Sequence, residues 1–378
     1  MSRGTKVSKW QEVIPAFHHR LNIQGPLKFL RRHPILCLLL LSPGIPEYLS
    51  GSSPLNALIL NPAMFLFQLV ANLGLYGAGV LLVREAQVRW NKGWGSVLLL
   101  GAAYGILEEG VALSTLFNPD AGPVGALGVY GHWVGVNWVW LAGILPVHMI
   151  FSVSIPILLL GLALPETGGR PFLQGRKLIA AFVILGVDVL ALFLLVTLGE
   201  KFWMGFPVLL GSFAAMALLV LAARRVSSGA LHARTELPRR GPSALAVLGI
   251  AFYPCVLLAE FLPEGAGAPA AVGFVCVICV QALFLVCVVR VMGSWRNGRN
   301  RVAFAFGLVI PIAVIGVLAE APLPLTLVAD AVMVAFFIKL LRGMPGEATG
   351  APGSSAEEAN LGVGARFLSI SPGSAVEP

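Results

Sequence analysis

The chain has 378 residues, of which 57% are hydrophobic and only 12% charged. Soluble domains carry about a quarter charged residues, so this balance excludes an ordinary globule, and the composition also excludes disorder, a collagen-like fibre and a secreted disulfide scaffold. The formal net charge of +8 comes from short basic clusters between apolar runs, a pattern that orients a chain in a bilayer rather than one that binds nucleic acid.

Taken in chain order, residues 1–33 are polar and basic, with Trp10, Val13, Ile14, Phe17 and Leu21 along one helical stripe broken by Pro15. That pattern predicts an interfacial helix. The segment lacks a secretory cleavage site and is expected to be retained. Apolar runs close to the length that crosses about 30 Å of hydrocarbon then predict ten helices, at 34–49, 61–83, 95–117, 139–163, 178–198, 203–223, 244–262, 269–289, 302–319 and 323–341. They form one transmembrane domain over 34–342, divided six and four by a linker at 224–243. Residues 343–378, rich in Gly, Ala, Ser, Pro and Glu, are expected to be a disordered cytoplasmic tail.

With a cytoplasmic N-terminus, every Lys and Arg except Lys201 falls on the inner side, and dropping or adding one helix would misplace the later clusters. The expected fold is therefore an all-α polytopic membrane bundle with both termini cytoplasmic, located in the cell membrane. Its expected partners are the lipid bilayer and a membrane-associated peptide or small-molecule substrate, with no nucleic acid. Cys37, Cys255, Cys276, Cys279 and Cys287 lie in apolar runs and read as small hydrophobes. The C-x-x-C pair at 276 and 279 has no accompanying second pair or histidine in its helix, so packing is its reading too.

Ionisable groups in mid-helix cost roughly 2.5–3.5 kcal/mol on insertion scales, so each calls for a partner or a water-filled cavity. The densest group lies in the third and fourth runs. Glu108 is roughly 20 Å from the inner end of its helix and His148 roughly 22 Å from the inner end of the next, at 1.5 Å per residue. The two therefore meet at one depth. Asn137, Ile144, His148 and Ser152 share one helical face, while the adjacent Glu108 and Glu109 point about 100° apart, so that only one can face a given neighbour. Gly101 and Gly105 form a small-xxx-small pair beneath them that admits a close backbone.

The expected site comprises Glu108, Glu109 and His148, with His132, Asn137 and Ser152 nearby, lining a cavity open to the extracytoplasmic side. A carboxylate beside an imidazole can hold a divalent metal such as zinc, with His132, His148 and Glu109 as ligands, or activate water. A buried Glu–His strut joining two helices is the alternative. Tyr130, Trp133, Trp138 and Trp140 read as an interfacial belt, and Asn118-Pro119-Asp120 as a turn. Asp188 and Asp330 lie near the midplane of helices 5 and 10, which become counterparts if the bundle is two inverted five-helix halves. Glu47, Glu200, Glu260 and Glu320 fall at outer helix ends and read mostly as solvated.

A diglutamate in one membrane helix followed by histidine on the next resembles the CAAX-protease and bacteriocin-processing (CPBP) family of intramembrane endopeptidases, with its E-E-x-x-x-R, F-x-x-x-H and H-x-x-x-N/D motifs. Glu108 and Glu109 match the first motif, with Leu113 at the arginine position. His148 matches the second, with Ile144 in place of phenylalanine. Alternatively His132 and His148 are the second and third, with Gly128 and Ser152 at the partner positions. The resemblance implies a glutamate- and histidine-activated hydrolytic water. Three functions follow: a membrane-embedded hydrolase of this kind using Glu108, Glu109 and His148; an ion-coupled secondary transporter using Asp188 and Asp330; or a non-catalytic membrane scaffold.

Overall fold

A computed structural model describes residues 32–231, 240–291, 297–321 and 323–344. The amphipathic stripe within 1–33 and the tail beyond 344 lie outside the described residues, as does the middle of the 224–243 linker. Ten helices follow the ten apolar runs: α1 (Pro34–Tyr48), α2 (Pro62–Arg89), α3 (Trp94–Ala112), α4 (Trp138–Ala163), α5 (Arg176–Gly199), α6 (Phe206–Arg225), α7 (Pro242–Gly265), α8 (Ala270–Arg290), α9 (Gly298–Ala319) and α10 (Thr326–Gly343). Among the described residues, α2 to α9 are each long and apolar enough to cross a membrane. The shorter α1 reaches about 22 Å, and α10 carries Asp330, Lys339 and Arg342. The protein is an all-α, multi-pass membrane protein.

Helix starts follow local chemistry. Proline opens α1, α2 and α7, where its missing N–H leaves no intrahelical bond unmade. Asn61, Asn137 and Asn297 cap α2, α4 and α9 by accepting the backbone N–H of Met64, Trp140 and Arg299 at 3.2, 2.9 and 2.9 Å. The Asn297 cap explains why α9 begins four residues before its apolar run.

Lipid is the solvent here, so large apolar side chains point outward as well as inward. On α5, Phe182, Val187 and Leu198 are exposed, and this helix and α8 bury little of themselves. The two largest apolar clusters of the interior each join several helices. One gathers Leu38, Val80, Val97 and Leu160 from α1 to α4, and the other Ile45, Phe151, Leu159 and Phe304 from α1, α4 and α9. α7 packs extensively on α9, where Gly249 and Gly307 let the backbones touch: a Cβ on Gly249 would lie 2.6 Å from the Phe304 carbonyl oxygen.

α5 packs on α2 and α3, whereas α10 packs on α9. The two helices thus have different packing partners, which lends no support to the two inverted five-helix halves considered for Asp188 and Asp330. The α3–α4 connection contains a small hairpin, β1 (His132–Trp133) with β2 (Val136–Asn137). Its turn residues Val134 and Gly135 both have positive φ, 51° and 75°, as the tightest hairpin turns require.

Candidate functional site

The site is assembled where four helices depart from α geometry together. π-helical turns occupy Gly44–Tyr48 in α1, Leu73–Gly77 in α2, Ile106–Ala112 in α3 and His148–Ser154 in α4. Such turns are rare and concentrate at functional sites. Each carries a polar side chain into the same layer: Glu47, Tyr76, the Glu108–Glu109 pair and His148.

The helices approach because of the glycine pair. A Cβ on Gly101 would lie 2.9 Å from the Met149 Cα, and one on Gly105 would lie 3.3 Å from the His148 Cβ. That contact seats His148 against the diglutamate. Its Nε2 lies 2.8 Å from Glu109 Oε1, and its Nδ1 lies 3.1 Å from both Glu108 Oε2 and Ser152 Oγ. Both glutamates therefore engage one histidine, contrary to the expectation that only one could. The reason is twofold: the π turn replaces the 100° step between neighbouring residues, and the imidazole offers a nitrogen on each edge.

Nε2 hydrogen-bonds Glu109, while Nδ1 meets the Ser152 hydroxyl and lies within ion-pair distance of the Glu108 carboxylate. The three side chains also offer one ligand atom each, all within 4.8 Å of one another. In a tetrahedral zinc site with bonds of 2.0–2.1 Å, ligand atoms sit about 3.3 Å apart; an ion would take one imidazole nitrogen, and the carboxylate at the other ring edge would have to swing toward it. Three protein ligands leave a fourth position for water, the arrangement of catalytic zinc.

The cluster is enclosed rather than lining an open outward cavity. Glu108 is 1% exposed, His148 3% and Glu109 7%. The enclosing residues belong to the chain that follows α3, which turns at Ser114 with φ 58°. Thr115 hydroxyl donates to Glu109 Oε2 and to the Glu109 carbonyl, and Trp140 Nε1 donates to Thr115 at 3.3 Å.

Two expected members lie elsewhere. His132 sits on β1, its Nε2 3.0 Å from the Phe117 carbonyl, and it is not brought to His148 as a metal ligand. Asn137 donates to the carbonyls of Leu127 and Gly128 while capping α4, so it fastens the connection instead of lining the site. Ser152 is present as expected. Asn118 forms the expected turn, accepting the Asp120 N–H at 3.1 Å, and donates to Glu200 at 2.6 Å.

Several residues of the layer were not expected. Tyr76 hydroxyl donates to Glu47 Oε1 at 2.6 Å, and Ser53 hydroxyl donates to Glu47 Oε2 at 2.8 Å while accepting from Asn72 at 2.9 Å. The Tyr76 and Tyr104 rings stand 6.3 and 6.1 Å from the imidazole, and both hydroxyls lie beside Glu108. Read as solvated from its place at a run end, Glu47 instead joins the layer. The same correction applies to Glu260 and Glu320, 3% and 1% exposed. Glu260 lies against Gly143 of α4 with no room for a Cβ between them, and Glu320 accepts the backbone N–H groups of Leu55 and Thr326. The signal for these was the tyrosine and glycine on neighbouring runs, which alone does not reveal which end residue folds inward.

Asp188 lies against Gly74 of α2, and Asp330 faces a shallow apolar groove between α9 and α10. Neither belongs to the cluster. All five cysteines are unpaired.

No curated protein and no solved structure matches the chain. The resemblance to CAAX proteases rested on a diglutamate and a histidine with Leu113 and Ile144 at two motif positions, and comparison with family profiles overturns it. The match extends over residues 36–351, and the chain belongs to an uncharacterized membrane protein family.

Proposed function

We propose that the protein is a membrane-embedded hydrolase whose water is activated by Glu108, Glu109 and His148, with a divalent ion such as zinc as the cofactor. The observation that carries this reading is the direct contact of His148 with two consecutive glutamates in a buried layer. A strut between two helices needs one such contact, and the second carboxylate is then available to act on water. One carboxylate takes the proton of the attacking water as general base. The other, with Ser152, orients the imidazole. The substrate class is a membrane-associated peptide or small molecule carrying an amide or ester bond, since a buried site among spanning helices is reached through lipid.

Metal analysis of detergent-purified protein tests the reading first. About one zinc per chain is expected, falling at least tenfold in His148→Ala and Glu109→Gln. Reconstituted vesicles supplied with fluorogenic peptide and ester probes then report hydrolysis, expected to vanish in the same variants while folding is retained. Hydrolysis undiminished in Glu108→Ala, Glu109→Ala and His148→Ala would refute it. Gradient-driven solute flux that disappears in Asp188→Asn would replace it with ion-coupled transport.

A further inference from the structure

Away from the carboxylate layer, the bundle contains an apolar groove of about 380 Å³. It arises from how α8 packs. This helix contacts α4 along Trp138–Val147 and then diverges from it, opening a wedge toward the basic end of the bundle. Trp94 and Leu98 of α3, Met149 and Leu158 of α4, Leu285 of α8 and Phe304 of α9 are among the residues lining the wedge. Ile278 and Leu285 on its α8 wall are 43% and 47% exposed, so the groove opens sideways, to where lipid tails run.

Water is a poor occupant. A buried water needs two to four polar partners, and beyond the Trp94 indole the lining offers only Ser154 and Gln281 side chains, the latter already donating to the Ala142 carbonyl at 2.7 Å. At roughly 30 Å³ for each water-sized unit, the volume takes about a dozen such units, which is the scale of one acyl chain.

The basic end supplies the complement to a headgroup. Arg290 directly follows the lining residues Val288 and Val289 and is exposed. Arg301 lies one turn before Phe304, and its Nε, like that of Arg299, has no hydrogen-bond partner among the described residues. Both sit in the first turn of α9, where the backbone N–H groups also favour an anion.

From this we infer that the α3–α4–α8–α9 groove is a binding site for one anionic phospholipid, with an acyl chain in the wedge and the phosphate held by Arg290, Arg299 and Arg301. The site is independent of the hydrolase reading.

The test uses the full chain in nanodiscs of mixed phosphatidylglycerol and phosphatidylcholine, followed by gentle delipidation and native mass spectrometry. One retained phosphatidylglycerol per chain is expected. Ala282→Trp, which fills the wedge, should reduce retention at least tenfold, while Val183→Trp on the lipid face of α5 should leave it unchanged. The triple variant Arg290→Gln, Arg299→Gln, Arg301→Gln should bring the preference over phosphatidylcholine to within twofold. If Ala282→Trp does not fold, brominated acyl chains give a second readout: they should quench wild-type fluorescence more than that of Trp94→Phe. No retained lipid, equal retention in Ala282→Trp and wild type, no headgroup preference in the wild type, or identical quenching with and without Trp94 would each overturn the inference.

Discussion

The contact between Glu109 and His148 can be measured as a coupling energy. His148 Nε2 and Glu109 Oε1 are 2.8 Å apart at 3% and 7% exposure, so neither water nor salt screens them appreciably. His148→Ala leaves two adjacent carboxyl groups without their shared partner in a buried layer, and breaking such a pair costs about 3–5 kcal/mol. Glu109→Ala is milder, because the imidazole keeps Glu108 and Ser152. Losing one charge-assisted hydrogen bond costs about 1.5–3 kcal/mol. The double variant should fall short of the sum of the two by about 1.5–3 kcal/mol, a 10- to 150-fold coupling in the unfolding equilibrium. Reversible unfolding in mixed micelles supplies all four stabilities of the cycle. Coupling below about 0.5 kcal/mol is the value for separated residues, and it would refute the contact.

Three further outcomes bear on the architecture. Gly249→Ala should destabilise, because a Cβ placed 2.6 Å from the Phe304 oxygen overpacks the α7–α9 crossing by about 1–3 kcal/mol. Gly186→Ala, with open space around it, should instead stabilise by about 0.5–1 kcal/mol, and thermal unfolding of the two variants reads both signs. Arg84 donates to the Thr167 and Arg170 carbonyls at 2.8 and 3.0 Å and lies 3.4 Å over the Phe172 ring. Arg84→Ala should speed proteolytic cutting of residues 164–175 several-fold. Arg84→Lys should restore little, since an ammonium lacks the planar fork. In a cysteine-free background, an impermeant maleimide should label Lys201→Cys in intact cells and Arg225→Cys only after permeabilisation; the reverse pattern would invert the orientation read from basic residues.

Much of this was legible before any coordinates. Apolar run length located the ten helices to within about six residues at either end, because a bilayer imposes one length scale on every crossing. Depth counting brought Glu108 and His148 to one level, because rise per residue is nearly constant along a helix. What escaped was azimuth. The angle between Glu108 and Glu109 depends on whether the turn is α or π, and nothing in ILEEGVA distinguishes them locally. Glu47 escaped for a related reason: its place at a run end reads as solvent contact, while its burial depends on Tyr76 and Ser53 arriving from other segments. His132 and Asn137 were misread because residues of matching chemistry near a site were taken as part of it, whereas a hairpin held them to backbone carbonyls.

The four aligned π turns carry a consequence for how the protein tolerates change in chain length. A π turn is an α-helix with one residue too many, so deleting a single residue from Ile106–Ala112 would let α3 relax into regular winding. Such a deletion would ordinarily throw everything beyond it out of phase. Here the misfit would fall on Glu109, Thr115 and the connection to α4, while the Gly101–Gly105 contact beneath stayed in register. One-residue deletions in these turns should therefore separate the polar layer from the rest of the bundle, erasing its chemistry while leaving the membrane scaffold standing.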